Sequence, residues 1–193
     1  MSLPDQLNIA LKEWHTVCRA LASGRQTILL RKGGISESMS GFDVEHRQFL
    51  FFPTFVHQQL PMLKTEAHRE FTPHATEPST ITIDLAAEIV DIVQVKGRAQ
   101  VDALDAEHIW TPPLIDMRFN YRPQNPLYLL IVRAYRLMSP RRIENRPAYA
   151  GCKSWVPLRE AIDCRNAVPA ISDDEFARRR ESISRLQAQR HSP

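Results

Sequence analysis

The stretch GRQTILLRKGGISESMSGFDVEHRQFLFFPTFVHQ, residues 24–58, decides how the chain is read. It holds two apolar runs, residues 27–30 and 49–52, joined by a polar connection that contains Gly33, Gly34 and Gly41. Residues 26–32 alternate as a strand, with Thr27, Leu29 and Arg31 on one face and Ile28, Leu30 and Lys32 on the other. The glycine pair ends it. A second strand over residues 47–52 is unusually aromatic, and Pro53 stops it. Around the two runs stand Arg31, Lys32, Glu37, Glu45, His46, Arg47, His57 and Gln58. Functional groups tend to ride on loops held by rigid strands, so this strand pair is the expected ligand-facing edge.

Upstream, Leu7, Leu11, Trp14, Val17, Cys18 and Leu21 recur at helical spacing, which predicts an amphipathic helix over residues 5–22 stopped by Gly24. Downstream, residues 53–80 read as irregular structure with a helical turn near 65–70. Residues 81–96 read as a strand pair or one long bent strand, and residues 98–108 as a short helix. Residues 127–137, LYLLIVRAYRL, are apolar on both faces, which predicts a central strand closed by Pro140. Residues 153–158 supply a further strand. Ser172 followed by Glu175 forms a capping box, with Ile171 and Phe176 as the accompanying staple, for a terminal helix reaching about residue 189. The expected organisation is one α+β domain over residues 1–165 and a helical tail over 166–193. Its sheet is expected to be small, curved, barrel-like and mostly antiparallel, with flanking helices.

Composition narrows the function classes. The 193 residues hold three cysteines (Cys18, Cys152, Cys164) without a CxxC pair, which suits reduced thiols better than a disulfide framework. Asp5, Lys12 and Glu13 interrupt any signal-peptide layout at the N-terminus. The longest apolar run, residues 127–132, is short of the roughly 20 residues a bilayer span needs. A soluble, cytoplasmic protein with no membrane partner is expected. The net charge of +3 is unevenly spread: residues 71–110 carry two basic and seven acidic side chains, and residues 111–165 carry ten and four. Such a basic third either meets an anionic partner or is balanced by the acidic segment.

Four kinds of chemistry either have candidate residues in the sequence or lack them. Nucleic-acid recognition would use Arg31, Lys32, Arg47 and Arg118 on phosphate, His57 or Gln58 on a base edge, and Trp110 to stack an unpaired base. It requires Arg31, Arg47, His57 and Trp110 to converge on one concave pocket. A metal-dependent nuclease would use Asp84, Gln94 and Lys96 on a hairpin, the carboxylate holding the ion. A metal site through His46 and His57 lacks any helical HExxH spacing or cysteine cluster, so no metal and no cofactor is expected. Nucleotide hydrolysis lacks the carboxylate-dense helix, and no phosphate-binding loop or GxSxG motif is present. The remaining class is an adaptor that forms a homodimer through the terminal helix.

Two sets of residues carry a resemblance. LKEW, ALASGRQTILLRKGGI and VEHRQFLFFPTFVHQ in the first third, with LLIVRAYRL and YAGCKSW further on, resemble a bacterial family known as domain of unknown function 1802 over residues 11–158. That resemblance implies no assigned activity, and a link to restriction–modification through fusion with Mrr-like nuclease domains. SGRQTILLR, residues 23–31, is similar to the opening of ASCH domains in the PUA superfamily, although Leu29 and Leu30 stand where that pattern often has an acidic residue. This second likeness implies a small β-barrel that binds RNA or reads modified bases. Together they imply a nucleic-acid-binding module of restriction–modification or RNA processing, and leave catalysis unassigned.

Overall fold

The computed structural model describes residues 3–32, 35–38, 41–151 and 153–189; Cys152 and the Gly33-Gly34 pair expected to end the first strand lie outside them. The elements are β1 (Gln6–Trp14), α1 (His15–Ala22), β2 (Ile28–Arg31), β3 (Ile35–Ser38), β4 (Gly41–Val44), β5 (Gln48–Thr54) and β6 (Thr80–Val95). They continue with α2 (Arg98–Asp102), α3 (Pro112–Asn120), β7 (Leu127–Glu144), β8 (Trp155–Asp163), β9 (Val168–Pro169) and α4 (Asp173–Gln189). Among the described residues a seven-stranded sheet runs β2-β7-β6-β5-β1-β8, with β9 on β7. Every pair in it is antiparallel except β1 with β5. The α+β class with a mostly antiparallel sheet and a C-terminal helix is therefore present.

The sheet curls without closing. Four strand spacings separate β2 from β1, which is about 19 Å in a flat sheet. Yet Arg31 on β2 donates to the Lys12 carbonyl of β1 at 2.8 Å. Only strong curvature brings those two within reach of one side chain, and that curvature creates the hollow described below.

Several elements differ from expectation. Residues 6–14 are a strand, not the first half of a helix. The same residues also alternate (Leu7, Ile9, Leu11), and β1 gains ladder partners on both sides, β5 and β8. Two-sided pairing outweighs local helical preference. Only residues 15–22 are helical, and Gly24 follows at φ +73, the left-handed turn that glycine takes without strain. The connection after β2 is not a plain loop: β3 and β4 form a hairpin. Nor are β2 and β5 neighbours, because β7 and β6 lie between them.

Pro140 does not close β7, which runs on to Glu144. The ladder to β6 shifts between Ile83↔Arg141 and Leu85↔Arg136, and Pro140, which has no N–H to give, falls inside that irregular step. β6 is one long strand, and β8 runs to Asp163, beyond the expected 158. The helix expected over 98–108 is limited to α2, followed by a single 3-10 turn.

One apolar core joins α1, β2, β5, β7 and α4, with Phe49, Phe51, Leu29, Ile131 and Ile183 fully buried. A second, smaller core beneath Phe52, Ile83, Tyr149 and Val156 lies toward β8. The Ser172 half of the capping box forms, with Glu175 N donating to Ser172 Oγ at 3.3 Å, while the Glu175 carboxylate accepts from Arg179 at 2.7 Å. Phe176 and Ile183 of α4 belong to the first core, and Arg180 on the same helix pairs with Asp91 of β6.

Candidate functional site

The curl of the sheet leaves a cleft of about 510 Å³ where the ends of β1 and β2 meet residues 145–153. Its floor is aromatic: Trp14, Phe52 and Tyr149, each at least nine-tenths buried, with Phe52 and Tyr149 edge to face at 5.8 Å. Its rim is basic: Lys12, Arg31, Arg118, Arg146 and Lys153, with His57 at the mouth. Two carboxylates, Glu13 and Glu77, also line it.

Most of these charges are already engaged. Arg31 meets Glu13 Oε2 at 2.9 Å, and Glu13 is only 5 % exposed. Burial lowers the Arg31 pKa, Glu13 raises it, and the neighbouring Arg118 guanidinium lowers it further. Glu77 accepts from Phe55 N at 3.0 Å and Val56 N at 3.0 Å, so its charge is held by backbone amides. Lys12 donates to the Gly151 carbonyl at 2.9 Å, which ties the 145–153 loop to β1. Arg146 pairs with Glu144 at 3.1 Å.

Two cations are different. Arg118, half-buried in the last turn of α3, has no carboxylate partner among the described residues, and neither does the exposed Lys153. An apolar floor beneath two uncompensated cations favours a ligand that is flat at one end and anionic at the other.

Of the seven residues singled out by sequence, Arg31, His57 and Arg118 meet in this cleft. The others do not. Lys32 donates to the Phe119 carbonyl at 2.6 Å and so fastens the end of α3. Gln58 is buried and its Oε1 accepts from Thr16 N and Thr16 Oγ1, both at 2.8 Å. It thereby caps the buried Thr16 amide in the first turn of α1, which has no cap from its own N-cap residue. Trp110 is buried and stacked on His108 at 5.0 Å and, unlike Phe52, does not line the cleft, so it is core. Arg47 lines a separate hollow with Glu88, Arg133 and Phe176. The four-residue pocket of Arg31, Arg47, His57 and Trp110 is thus not assembled.

Lys12, Trp14, Tyr149 and Lys153 of the cleft are not among the residues expected from sequence, whereas Phe52 is one of the aromatics that could stack a base. Two of the four, Tyr149 and Lys153, stand in the stretch YAGCKSW that carries part of the family resemblance.

The nuclease constellation is also not assembled. Asp84 and Gln94 lie on one unbroken strand, ten residues or about 30 Å apart, with Lys96 just past its end, so no hairpin brings them together. Asp84 instead pairs with Arg19 at 2.8 Å. His46 precedes β5 and packs edge-on against Trp155 at 5.2 Å, while His57 follows that strand. Among the described residues, no three His, Cys, Asp or Glu side chains cluster as a metal ion would require. Among them, too, no helix is long and apolar enough to cross a membrane.

The family described as Domain of unknown function (DUF1802) matches residues 10–182, which carries the likeness past residue 158 and into α4. No curated protein matches. The crystal structure of ASCH from Zymomonas mobilis is similar over 90 % of this chain and 93 % of that one, at 13 % identity and a TM-score of 0.41. A serine-to-alanine mutant of the Zymomonas mobilis protein is similar over 94 % and 99 %, at 13 % identity and a TM-score of 0.40.

Proposed function

The chain belongs to the DUF1802 family, and we propose that it binds nucleic acid, holding one unpaired nucleotide in the cleft between β1, β2 and residues 145–153. One observation carries this reading: Arg118 and Lys153 face an aromatic-floored hollow without a carboxylate partner among the described residues. A base lies on Trp14, Phe52 and Tyr149, where every base can pack by its π-face. Its phosphate takes the place of the missing carboxylates, and the Arg31–Glu13 pair acts as a fixed wall. His57 at the mouth is placed to hydrogen-bond the sugar or base edge.

In this reading the protein is a cytoplasmic recognition module of restriction–modification or RNA processing, and it is a binder rather than a catalyst. The carboxylates of the cleft fit that role. Glu13 is held by Arg31 and by the Trp14 amide, and Glu77 by two backbone amides, so neither is placed to activate water. A homodimer through α4 would use the exposed face of Arg178, Glu181 and Arg185, because Phe176 and Ile183 pack into this chain's own core.

The test is the binding of labelled single-stranded RNA and DNA across a salt series. Wild-type affinity is expected to fall linearly on a log–log plot, and the Arg118→Ala/Lys153→Ala double variant is expected to lose about 1.4 from the slope, two phosphate contacts at roughly 0.7 each. Binding that ignores salt, or a slope unchanged by the double variant, overturns the reading.

A further inference from the structure

A small hollow of about 130 Å³ adjoins the cleft, and the two share Tyr149 and Arg146 in their linings. It is too small for a nucleoside, since pockets for small organic ligands start near roughly 300 Å³. Arg141 and Arg142 of β7 and Arg159 of β8 surround it, with Glu144 and Glu160. Two of the four arginines are neutralised, Arg141 by Glu160 at 3.2 Å and Arg146 by Glu144 at 3.1 Å. Arg142 and Arg159 have no carboxylate partner among the described residues.

Tyr149 adds an independent sign. Its side chain is buried, and its hydroxyl accepts from Arg159 N at 3.1 Å. The hydroxyl proton has no acceptor among the described residues, so one donor remains at the wall of the hollow.

We infer that this hollow is a second phosphate site, and that the ligand is therefore a single-stranded oligonucleotide rather than a free nucleotide. The inference rests on the cleft reading above. Two forked guanidiniums and one phenol donor suit the oxygens of a phosphodiester. The shared lining matters most. A nucleoside diphosphate would carry its phosphates side by side into one site, whereas phosphates in two hollows that share a tyrosine suit a strand that drops one base into the cleft and continues past it.

The experiment is a length series measured by fluorescence anisotropy competition: a nucleoside 5′-monophosphate, a dinucleotide carrying a 5′-phosphate, and a single-stranded octamer. Affinity is expected to rise at least tenfold from the monophosphate to the octamer. The Arg142→Ala/Arg159→Ala variant is expected to remove that gain while binding the monophosphate as the wild type does. Tyr149→Phe, which keeps the ring and its packing, is expected to weaken the octamer several-fold more than the monophosphate. Equal affinity for monophosphate and octamer, or a double variant that binds the octamer normally, overturns the second site and leaves the cleft standing. Binding of neither ligand overturns the cleft reading and this inference together.

Discussion

Two regions of the molecule combine a tryptophan, a histidine and basic side chains: the cleft around Trp14 and His57, and the core around Trp110 and His108. Around Trp110 most of the groups have partners, although the buried His108 Nε2 has none among the described residues. His108 Nδ1 accepts from Trp110 N at 3.2 Å, and Lys64 is paired with Asp105 at 3.0 Å and donates to the His108 carbonyl. Gln26 completes the enclosure by accepting from Ile109 N. Around Trp14 the same residue types leave Arg118 and Lys153 without carboxylates among the described residues, above an open hollow. Pairing, rather than composition, separates a core from a candidate site.

The largest expected effect breaks the closed region. Trp110→Ala should cost about 4 kcal/mol in urea unfolding, in the range of large aromatic deletions from a core, and should leave ligand affinity of the folded fraction unchanged. A cost under about 1 kcal/mol with lost binding would return Trp110 to the site. Next is Glu13→Ala, which strands the buried Arg31 charge and should cost about 3 kcal/mol.

The third probes the buried histidine of the closed region with acid. Burial and the nearby Lys64 charge hold His108 down at about 4 from the usual 6.5. The unfolded chain therefore takes up this proton first as pH falls. The stabilising contribution is whole above pH 6.5 and is lost progressively between pH 6.5 and about 4, by at most about 3 kcal/mol. Urea midpoints at stepped pH should show this loss, and His108→Gln should flatten it; an unchanged slope in the variant would contradict the assignment. The smallest stability effect belongs to the open region. Arg118→Ala should shift unfolding by less than about 0.5 kcal/mol, as for other exposed or half-exposed substitutions, while weakening oligonucleotide binding roughly tenfold.

This contrast also marks what the sequence could reveal. Strands with strong apolar runs, β2, β5 and β7, declare themselves, and so does the capping box of α4. β1 does not, because Leu7, Leu11 and Trp14 keep a helical period while Leu7, Ile9 and Leu11 alternate, and its two strand partners arrive from residues 48–54 and 155–163. The site was half visible for a similar reason. Arg31 and Arg118 are 87 positions apart, and only the curl of the sheet and the end of α3 place them in one cleft. Tyr149 and Lys153 sit in a loop with no periodic signal, and nothing local distinguishes Gln58 as the cap of α1 from a residue that reads a base.

The most direct measurement is photo-cross-linking of a bound single-stranded octamer that carries 5-bromouridine, followed by mass spectrometry of the modified peptides. Adducts are expected on peptides containing Trp14, Phe52 or Tyr149, and are expected to disappear in the Arg118→Ala/Lys153→Ala variant. Adducts confined to the face of Arg47, Arg133 and Phe176, or unaffected by that variant, would contradict the cleft as the seat of binding.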